Sequence, residues 1–201
     1  MSGIHSLPTP FVKSLTDMIV YNQEYLLKEN EQIFYNFAPM SYHSMARNRL
    51  ASEIRGNWIL MLDTDQTFAP DTLVRLLWIA DQQNLDVVTG LYYQKVEPYK
   101  PVIYKINDQN QFENIMEWDE DSPNGIIPID SAGGGCLFIR NHILSKMFNS
   151  GMLPFAEIEG YSEDHSFFLK LKKLGIQSFC ATDVRVNHLV WREITTEDYD
   201  G

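Results

Sequence analysis

The stretch Asn57-Trp58-Ile59-Leu60-Met61-Leu62-Asp63-Thr64-Asp65 is an apolar run that stops at two aspartates one residue apart. The run predicts a buried strand. Residues i and i+2 of an extended chain point to the same side, so this aspartate pair can present two carboxylates together where the strand ends. A divalent cation is the usual partner of such carboxylates. The alternative interpretation is an aspartate-rich turn, because aspartate favours turns by itself.

The composition is that of a folded protein and excludes several classes of function. The chain has 201 residues, of which 44% are hydrophobic, and we expect one domain over residues 1–201. A formal net charge of −11 argues against an extended nucleic-acid surface, which needs clustered Lys and Arg. Cys136 and Cys180 lie in apolar runs and are expected to be buried free thiols. No apolar run approaches the ~20 residues that span a bilayer, which predicts a cytoplasmic protein.

Hydrophobic periodicity and turn residues predict an alternation of helices and strands. Helices are expected over residues 11–28, 41–54, 70–82, 141–150 and 162–173. Strands are expected over residues 31–37, 57–63, 86–93, 101–106, 111–116, 125–130, 136–139, 176–180 and 184–190. This succession predicts an α/β fold, with a mainly parallel sheet, helices on both faces and a small antiparallel piece.

Three further groups of residues could carry chemistry beside the aspartate pair. The glycines 133–135 precede an apolar strand, where they indicate either close approach of a substrate to the backbone or a bulge. Glu163 and Asp164 follow the expected N-cap Ser162, where they either stabilise the helix N-terminus or include a general base. His188 ends the last strand and is either a packed residue or, beside the aspartates, a ligand for a metal such as Mn²⁺.

The order of these segments along the chain carries a family resemblance. The segments are Met45-Ala46-Arg47-Asn48-Arg49-Leu50, the run from Trp58 to Asp65, Phe68-Ala69-Pro70-Asp71-Thr72-Leu73, Gly133-Gly134, Ser162-Glu163-Asp164 and His188. Together they resemble GT-A-fold glycosyltransferases of the family 2 type, including small stand-alone proteins of phages and bacteria. The resemblance implies a nucleotide-diphospho-sugar transferase fold, located in the host cytoplasm if a phage encodes the chain.

The resemblance also implies a donor site. Asp63-Thr64-Asp65 matches the family's DxD motif, which binds a divalent metal, Mn²⁺ or Mg²⁺, on the diphosphate of a nucleotide sugar. His188 matches the histidine that completes that metal site, and Asp63 is also expected to contact the donor. Arg47 matches an arginine near the nucleotide, and its neighbour Asn48 is expected to contact substrate as well.

The acceptor side follows from the same resemblance. Gly133 and Gly134 match the positions that line the donor-sugar and acceptor site. Glu163 and Asp164 match the family's acidic pair, in which Glu163 binds substrate and Asp164 is the catalytic base of an inverting enzyme. Trp191 is expected to stack on a sugar face. The implied activity is metal-dependent transfer of a sugar from a UDP- or GDP-type donor to a hydroxyl of a glycan, a protein or a small molecule.

One departure and two alternatives stay open at this point. The family begins with an apolar strand, whereas residues 1–10 supply a loop, so the first strand is expected to be missing or shortened. A phosphatase of the haloacid-dehalogenase type would use Asp63 as nucleophile and Asp65 as acid–base, although that motif normally lies on a first strand. A GT-A remnant that binds nucleotide sugars or carbohydrate without catalysis is the other alternative.

Overall fold

The computed structural model describes residues 7–26, 32–38, 42–119 and 125–190, and their elements alternate as an α/β fold. The helices are α1 Thr9–Tyr25, α2 His43–Ser52, α3 Thr72–Gln82, α4 Asn141–Asn149 and α5 Glu163–Lys173. The strands are β1 Trp58–Leu62, β2 Gln66–Phe68, β3 Val87–Leu91, β4 Ile103–Ile106, β5 Phe112–Asn114, β6 Ile126–Ile129, β7 Ser131–Ala132, β8 Cys136–Arg140 and β9 Ser178–His188.

The main sheet has the strand order β1-β8-β3-β9-β2, and β6 also pairs with β9. Strands β3 and β9 pair in parallel, whereas β8 runs antiparallel to both β1 and β3. Strands β1, β3 and β9 therefore run in one direction, and their carboxyl ends meet at one edge of the sheet. That edge is where open α/β sheets bind ligands.

A second, antiparallel sheet of β5, β4 and β7 forms the small piece predicted from the sequence. The turn between β4 and β5 is closed by a 2.9 Å bond from Asn107 N to Gln111 O. The asparagine-rich turn and the two flanking apolar runs were sufficient to predict this hairpin. The predicted α/β class with its antiparallel piece is confirmed.

Strand β1 lies at the end of the main sheet. It pairs through all five of its residues with β8, and no strand precedes it among the described residues. Its other side faces a cleft of about 2340 Å³. A missing or shortened first strand stays a prediction, because residues 1–6 lie outside the described residues. The strand predicted over residues 31–37 is wrong for residues 32–37, which have no regular secondary structure and line the same cleft as β1 without pairing with it.

The sheet separates two hydrophobic clusters, and β8 contributes to both by alternation. Leu137 and Ile139 face the cluster that contains Phe155 and Phe167, whereas Cys136 and Phe138 face the other. Helices α4 and α5 cover the first cluster and α1 and α3 the second, which confirms helices on both faces.

Two further predictions concern the last strand and the two cysteines. The strands expected over residues 176–180 and 184–190 are one strand, β9, because a shift in register after Gly90 of β3 lets β9 continue. Cys136 and Cys180 are buried free thiols as predicted, and burial raises the pKa of Cys136 to about 12. None of the helices that the structure describes is both long and apolar enough to span a bilayer.

Candidate active site

The backbone around the aspartate pair is tied to two different strands. Pairing of β1 with β8 ends at Leu62 opposite Cys136, and Asp63 N then donates to Gly135 O at 3.0 Å. Two residues further on, Leu189 N donates to Asp65 O at 2.8 Å. The pair therefore bridges the end of β1 and the end of β9, at the edge where the ligand of an open α/β sheet is expected.

Arg47 is a buried cation that joins three elements. Its side chain is 7% exposed, and Nη2 donates to Oδ1 and Oδ2 of Asp63 at 2.9 and 3.1 Å. Nη1 donates to Oε1 of Glu163, whose side chain is 11% exposed. A buried charge is costly without a partner, so Arg47 has to keep both of its carboxylates. The ion-pair network therefore fixes α2, the end of β1 and the start of α5 relative to one another. Arg47, Asp63 and Glu163, singled out separately in the sequence, lie together.

Asp65 is held differently from Asp63. Its Oδ2 accepts from Nζ of Lys95, and each of these two side chains is 40% exposed. Its Oδ1 is buried and has no hydrogen-bond partner in the described part of the chain. Burying a carboxylate oxygen without a hydrogen-bond donor costs free energy. A cation or a donor group bound at this atom would therefore be stabilising.

His188 lies near the carboxyl end of β9, where β9 pairs with β2. It is directly opposite Gln66 in the antiparallel pairing of β2 with β9. Its Nδ1 lies 2.6 Å from Tyr93 O, and since a carbonyl only accepts, Nδ1 carries a proton, so in the neutral ring Nε2 keeps a lone pair. Histidines that bind metals commonly donate their second ring nitrogen to a carbonyl in this way.

These contacts fit a cation site only in part. Among the residues described, no three His, Cys, Asp or Glu side chains lie grouped so as to hold a metal ion. Asp63 accepts from Arg47 and Asp65 from Lys95, which draws the two carboxylates towards different cations. Asp65 Oδ1 and His188 Nε2 are nevertheless suited to a cation by their chemistry. Metal binding by Asp63, Asp65 and His188 remains a prediction.

Packing within the chain explains why residues 133–135 are glycines. A Cβ at any of them would overlap a side chain that already occupies the site. Those side chains are the Tyr92 hydroxyl at Gly133, the guanidinium of Arg47 (Cζ at 2.5 Å) at Gly134 and the Gln66 carboxamide at Gly135. In addition, Gly135 N donates to Tyr92 Oη at 3.0 Å. Close approach is thus required by packing, and contact of Gly133 and Gly134 with substrate remains a prediction.

Asp164 lies half-buried in the first turn of α5. Its Oδ1 accepts from Ser162 Oγ and from His165 N, the latter at 2.7 Å. Ser162 is the N-cap residue as predicted, but its hydroxyl bonds Asp164 and makes no cap bond to a helix amide. The hydrogen bonds that the structure describes at this carboxylate all reach Oδ1, which orients the group.

His165 packs against the antiparallel sheet beside this carboxylate. Its Nδ1 lies 2.7 Å from Ser131 Oγ, and its ring stacks on Phe112 with centroids 4.2 Å apart. Burial lowers the pKa of His165, which Asp164 and Glu163 only partly offset. The imidazole therefore favours its neutral form and acts as a packed wall of the site.

Two predicted substrate contacts are placed otherwise or lie beyond the described residues. Oδ1 of Asn48 accepts from Phe155 N at 2.9 Å and so holds the segment before α5. A contact between Asn48 and substrate stays a prediction. Trp191 lies outside the described residues.

Sequence reasoning missed the parts played by Lys95, Tyr92, Gln66 and His165. Lys95 alone carried a usable signal, because a basic residue just after the strand over residues 86–93 lies at the same sheet edge as the aspartates. Tyr92 is 4% exposed and packs within the site. Gln66 and His165 offered no pattern.

Comparisons with known proteins agree with this architecture. A model of the family described as glycosyl transferase family 2 matches residues 16–148. The crystal structure of A197 from STIV is similar with a TM-score of 0.57 and 16% identity, over 92% of this chain and 81% of that one. GalNAc-T7, solved with UDP, GalNAc and Mn²⁺, is similar with a TM-score of 0.56 and 14% identity, over 86% of this chain but only 36% of its own. No curated protein sequence matches.

Proposed function

This chain belongs to glycosyl transferase family 2 and has its GT-A fold, and on that premise we propose that it moves a sugar from a nucleoside diphosphate donor to an acceptor hydroxyl. The observations that carry the proposal are the buried Oδ1 of Asp65, which has no hydrogen-bond partner in the described part of the chain, and the Nε2 of His188, whose Nδ1 is engaged by Tyr93 O. Both atoms lie at the strand ends where an α/β sheet binds its ligand.

In this proposal Asp65 and His188 hold a divalent cation, and Asp63 contributes an oxygen that it shares with Arg47. Such sharing is possible because the two oxygens of a carboxylate offer about four lone pairs. An imidazole among oxygen ligands favours Mn²⁺ over a purely oxygen-loving ion, although Mg²⁺ is compatible. When bound, the cation supplies positive charge to the departing nucleoside diphosphate.

Asp164 is the proposed base. Its carboxylate is oriented through Oδ1 by Ser162 and by the backbone of His165, so Oδ2 is available to an acceptor. Oδ2 takes the hydroxyl proton while the acceptor oxygen forms a bond to the anomeric carbon and the bond to the diphosphate oxygen breaks. Base and leaving group lie on opposite faces of the sugar, which gives inversion of configuration.

The remaining predicted contacts complete the proposed site. Arg47, held by Asp63 and Glu163, presents positive charge near the donor, and Gly133 and Gly134 border the sugar. Asn48 and Trp191 are the further proposed substrate contacts. UDP and GDP sugars are the proposed donors, and a hydroxyl of a glycan, a protein or a small molecule is the acceptor, in the cytoplasm.

Calorimetry tests the donor half of this proposal. We expect UDP or GDP to bind in the presence of Mn²⁺ and to bind at least about tenfold more weakly in a chelator, since the cation would supply positive charge to the diphosphate. Equal binding of both nucleotides with and without Mn²⁺ would contradict a metal-dependent donor site.

Donor hydrolysis tests the chemistry and separates the alternatives. Slow release of nucleoside diphosphate from UDP or GDP sugars should fall about 10²-fold or more in Asp164→Asn, because general-base catalysis contributes on that scale. Nucleotide binding without any hydrolysis or transfer would indicate the non-catalytic remnant. Hydrolysis of an aryl phosphate that requires Asp63 would instead indicate the phosphatase, which the family assignment disfavours.

A further inference from the structure

Lys95 is the more exposed of the two basic side chains that form ion pairs in the candidate site. The site contains the carboxylates of Asp63, Asp65, Glu163 and Asp164, of which Arg47 pairs with Asp63 and Glu163 and Lys95 pairs with Asp65. His43, 3.6 Å from Glu163, adds positive charge only when protonated. With neutral histidines the site keeps an excess of negative charge, which suits a divalent cation.

The two basic side chains differ in how firmly they are held. Arg47 is buried and divided between two carboxylates on different elements, so it cannot leave without stranding Glu163. Lys95 is 40% exposed and contacts Asp65 alone. An exposed lysine pair contributes little to folding, and its four-carbon stem can turn to a new partner at small cost.

The backbone on either side of Lys95 is held by hydrogen bonds. Gln94 N donates to Lys100 O at 2.9 Å, and Tyr93 pairs with Pro101, so the loop over residues 94–100 is closed at its base. Tyr93 O also accepts from His188. The backbone that carries Lys95 is therefore held next to His188, one of the proposed cation ligands.

We propose that Lys95 is an exchangeable counter-charge, which neutralises Asp65 in the metal-free chain and transfers to the donor diphosphate once Asp65 holds a divalent cation. The inference rests on the proposed function, because it presumes a cation and a diphosphate at this site. A cation on Asp65 would repel the neighbouring ammonium. A diphosphate beside that cation offers the ammonium new negative oxygens, which lysine binds well.

The exchange predicts opposite effects of one substitution on two ligands. In Lys95→Met, Mn²⁺ alone should bind about three- to tenfold more tightly, because nothing competes for Asp65. In Mn²⁺-saturated protein the same variant should bind UDP or GDP about tenfold more weakly, because a charge-assisted contact is lost. A purely structural lysine would move both affinities in the same direction or neither.

The loop offers a matched control. Lys100→Met removes the same charge from the other end of the loop, where the side chain is exposed and pairs with no carboxylate of the site. Calorimetry of Mn²⁺ and then of nucleotide should place Lys100→Met with the wild type in both titrations. Lys95→Arg should recover most of the nucleotide affinity, because it keeps a positive charge at the same position.

The outcomes separate this inference from the function on which it rests. If the wild type binds Mn²⁺ and nucleotide but Lys95→Met matches it in either titration, the exchange is wrong and the donor site stands. If Lys100→Met reproduces the effects of Lys95→Met, they come from general charge, which also overturns the exchange. If the wild type binds neither ligand, both the exchange and the metal-dependent donor site are overturned.

Discussion

The two aspartates that end β1 are one residue apart and have different surroundings. Asp63 accepts both bonds from the buried Nη2 of Arg47, inside a network that also contains Glu163. Asp65 meets a half-exposed lysine with one oxygen and leaves the other buried and unpartnered. Asp63 thus belongs to the architecture that joins the helices, whereas Asp65 keeps capacity for a ligand. The motif therefore has a structural half, Asp63, and an open half, Asp65.

The largest effect should come from breaking the structural half. Arg47→Met leaves Glu163 buried without its partner, so we expect a loss of about 3–5 kcal/mol in the free energy of unfolding. Urea denaturation measures this. Arg49→Met, on the exposed side of the same helix, should change stability little. Similar losses in the two variants would show that the Arg47 network does not hold the site together.

A smaller effect should follow from crowding the same network. In Gly134→Ala the new Cβ would lie 2.5 Å from Cζ of Arg47, which must shift together with both of its carboxylates. Overpacking of this kind costs about 1–3 kcal/mol, measurable by thermal or urea unfolding. Gly56→Ala is the control, because its Cβ would meet nothing closer than 3.7 Å. An unchanged stability of Gly134→Ala would mean that Arg47 is more loosely held than its contacts indicate.

The smallest effect is a pH dependence of the stability, which His165 at the start of α5 should cause. Burial lowers the pKa of His165 below 6.5, so the unfolded chain binds the proton more readily than the folded one. The contribution to stability is complete above pH 6.5 and declines as the pH falls below that value. Unfolding free energies measured at successive pH values should show this decline in the wild type and a flatter profile in His165→Asn. Parallel profiles would exclude His165 as the source.

Local patterns were sufficient to predict the class of fold. The apolar run before Asp63 is β1, the hairpin around residues 107–110 is present, and α5 begins after Ser162 as its cap residue predicts. Residues 32–37 do not form the predicted strand, because ladder pairing is non-local and they make none with the open outer side of β1. Strand β2, of three residues, was missed because its pairing with β9 is non-local.

The sequence predicted which residues belong to the candidate site, but it did not predict which of them pair with one another. Arg47, Asp63 and Glu163 were each singled out, but their shared ion pair depends on how α2 and α5 pack, which no local pattern encodes. Lys95 pairs with a residue thirty positions earlier in the chain. Gln66 and Tyr92 became recognisable only as the side chains that fill the space beside the glycines.

The role of Asp65 is tested most directly by comparing Mn²⁺ binding to the wild type and to Asp65→Asn. Binding is measured in the presence of a nucleoside diphosphate, by calorimetry or from the spectrum of the bound ion. Asp65→Asn keeps the size of the side chain and removes its charge. We predict that the wild type binds Mn²⁺ and that the variant binds it at least about tenfold more weakly, with unchanged unfolding. Equal affinity for Mn²⁺ in the two proteins would contradict the assignment of Asp65 as the cation ligand.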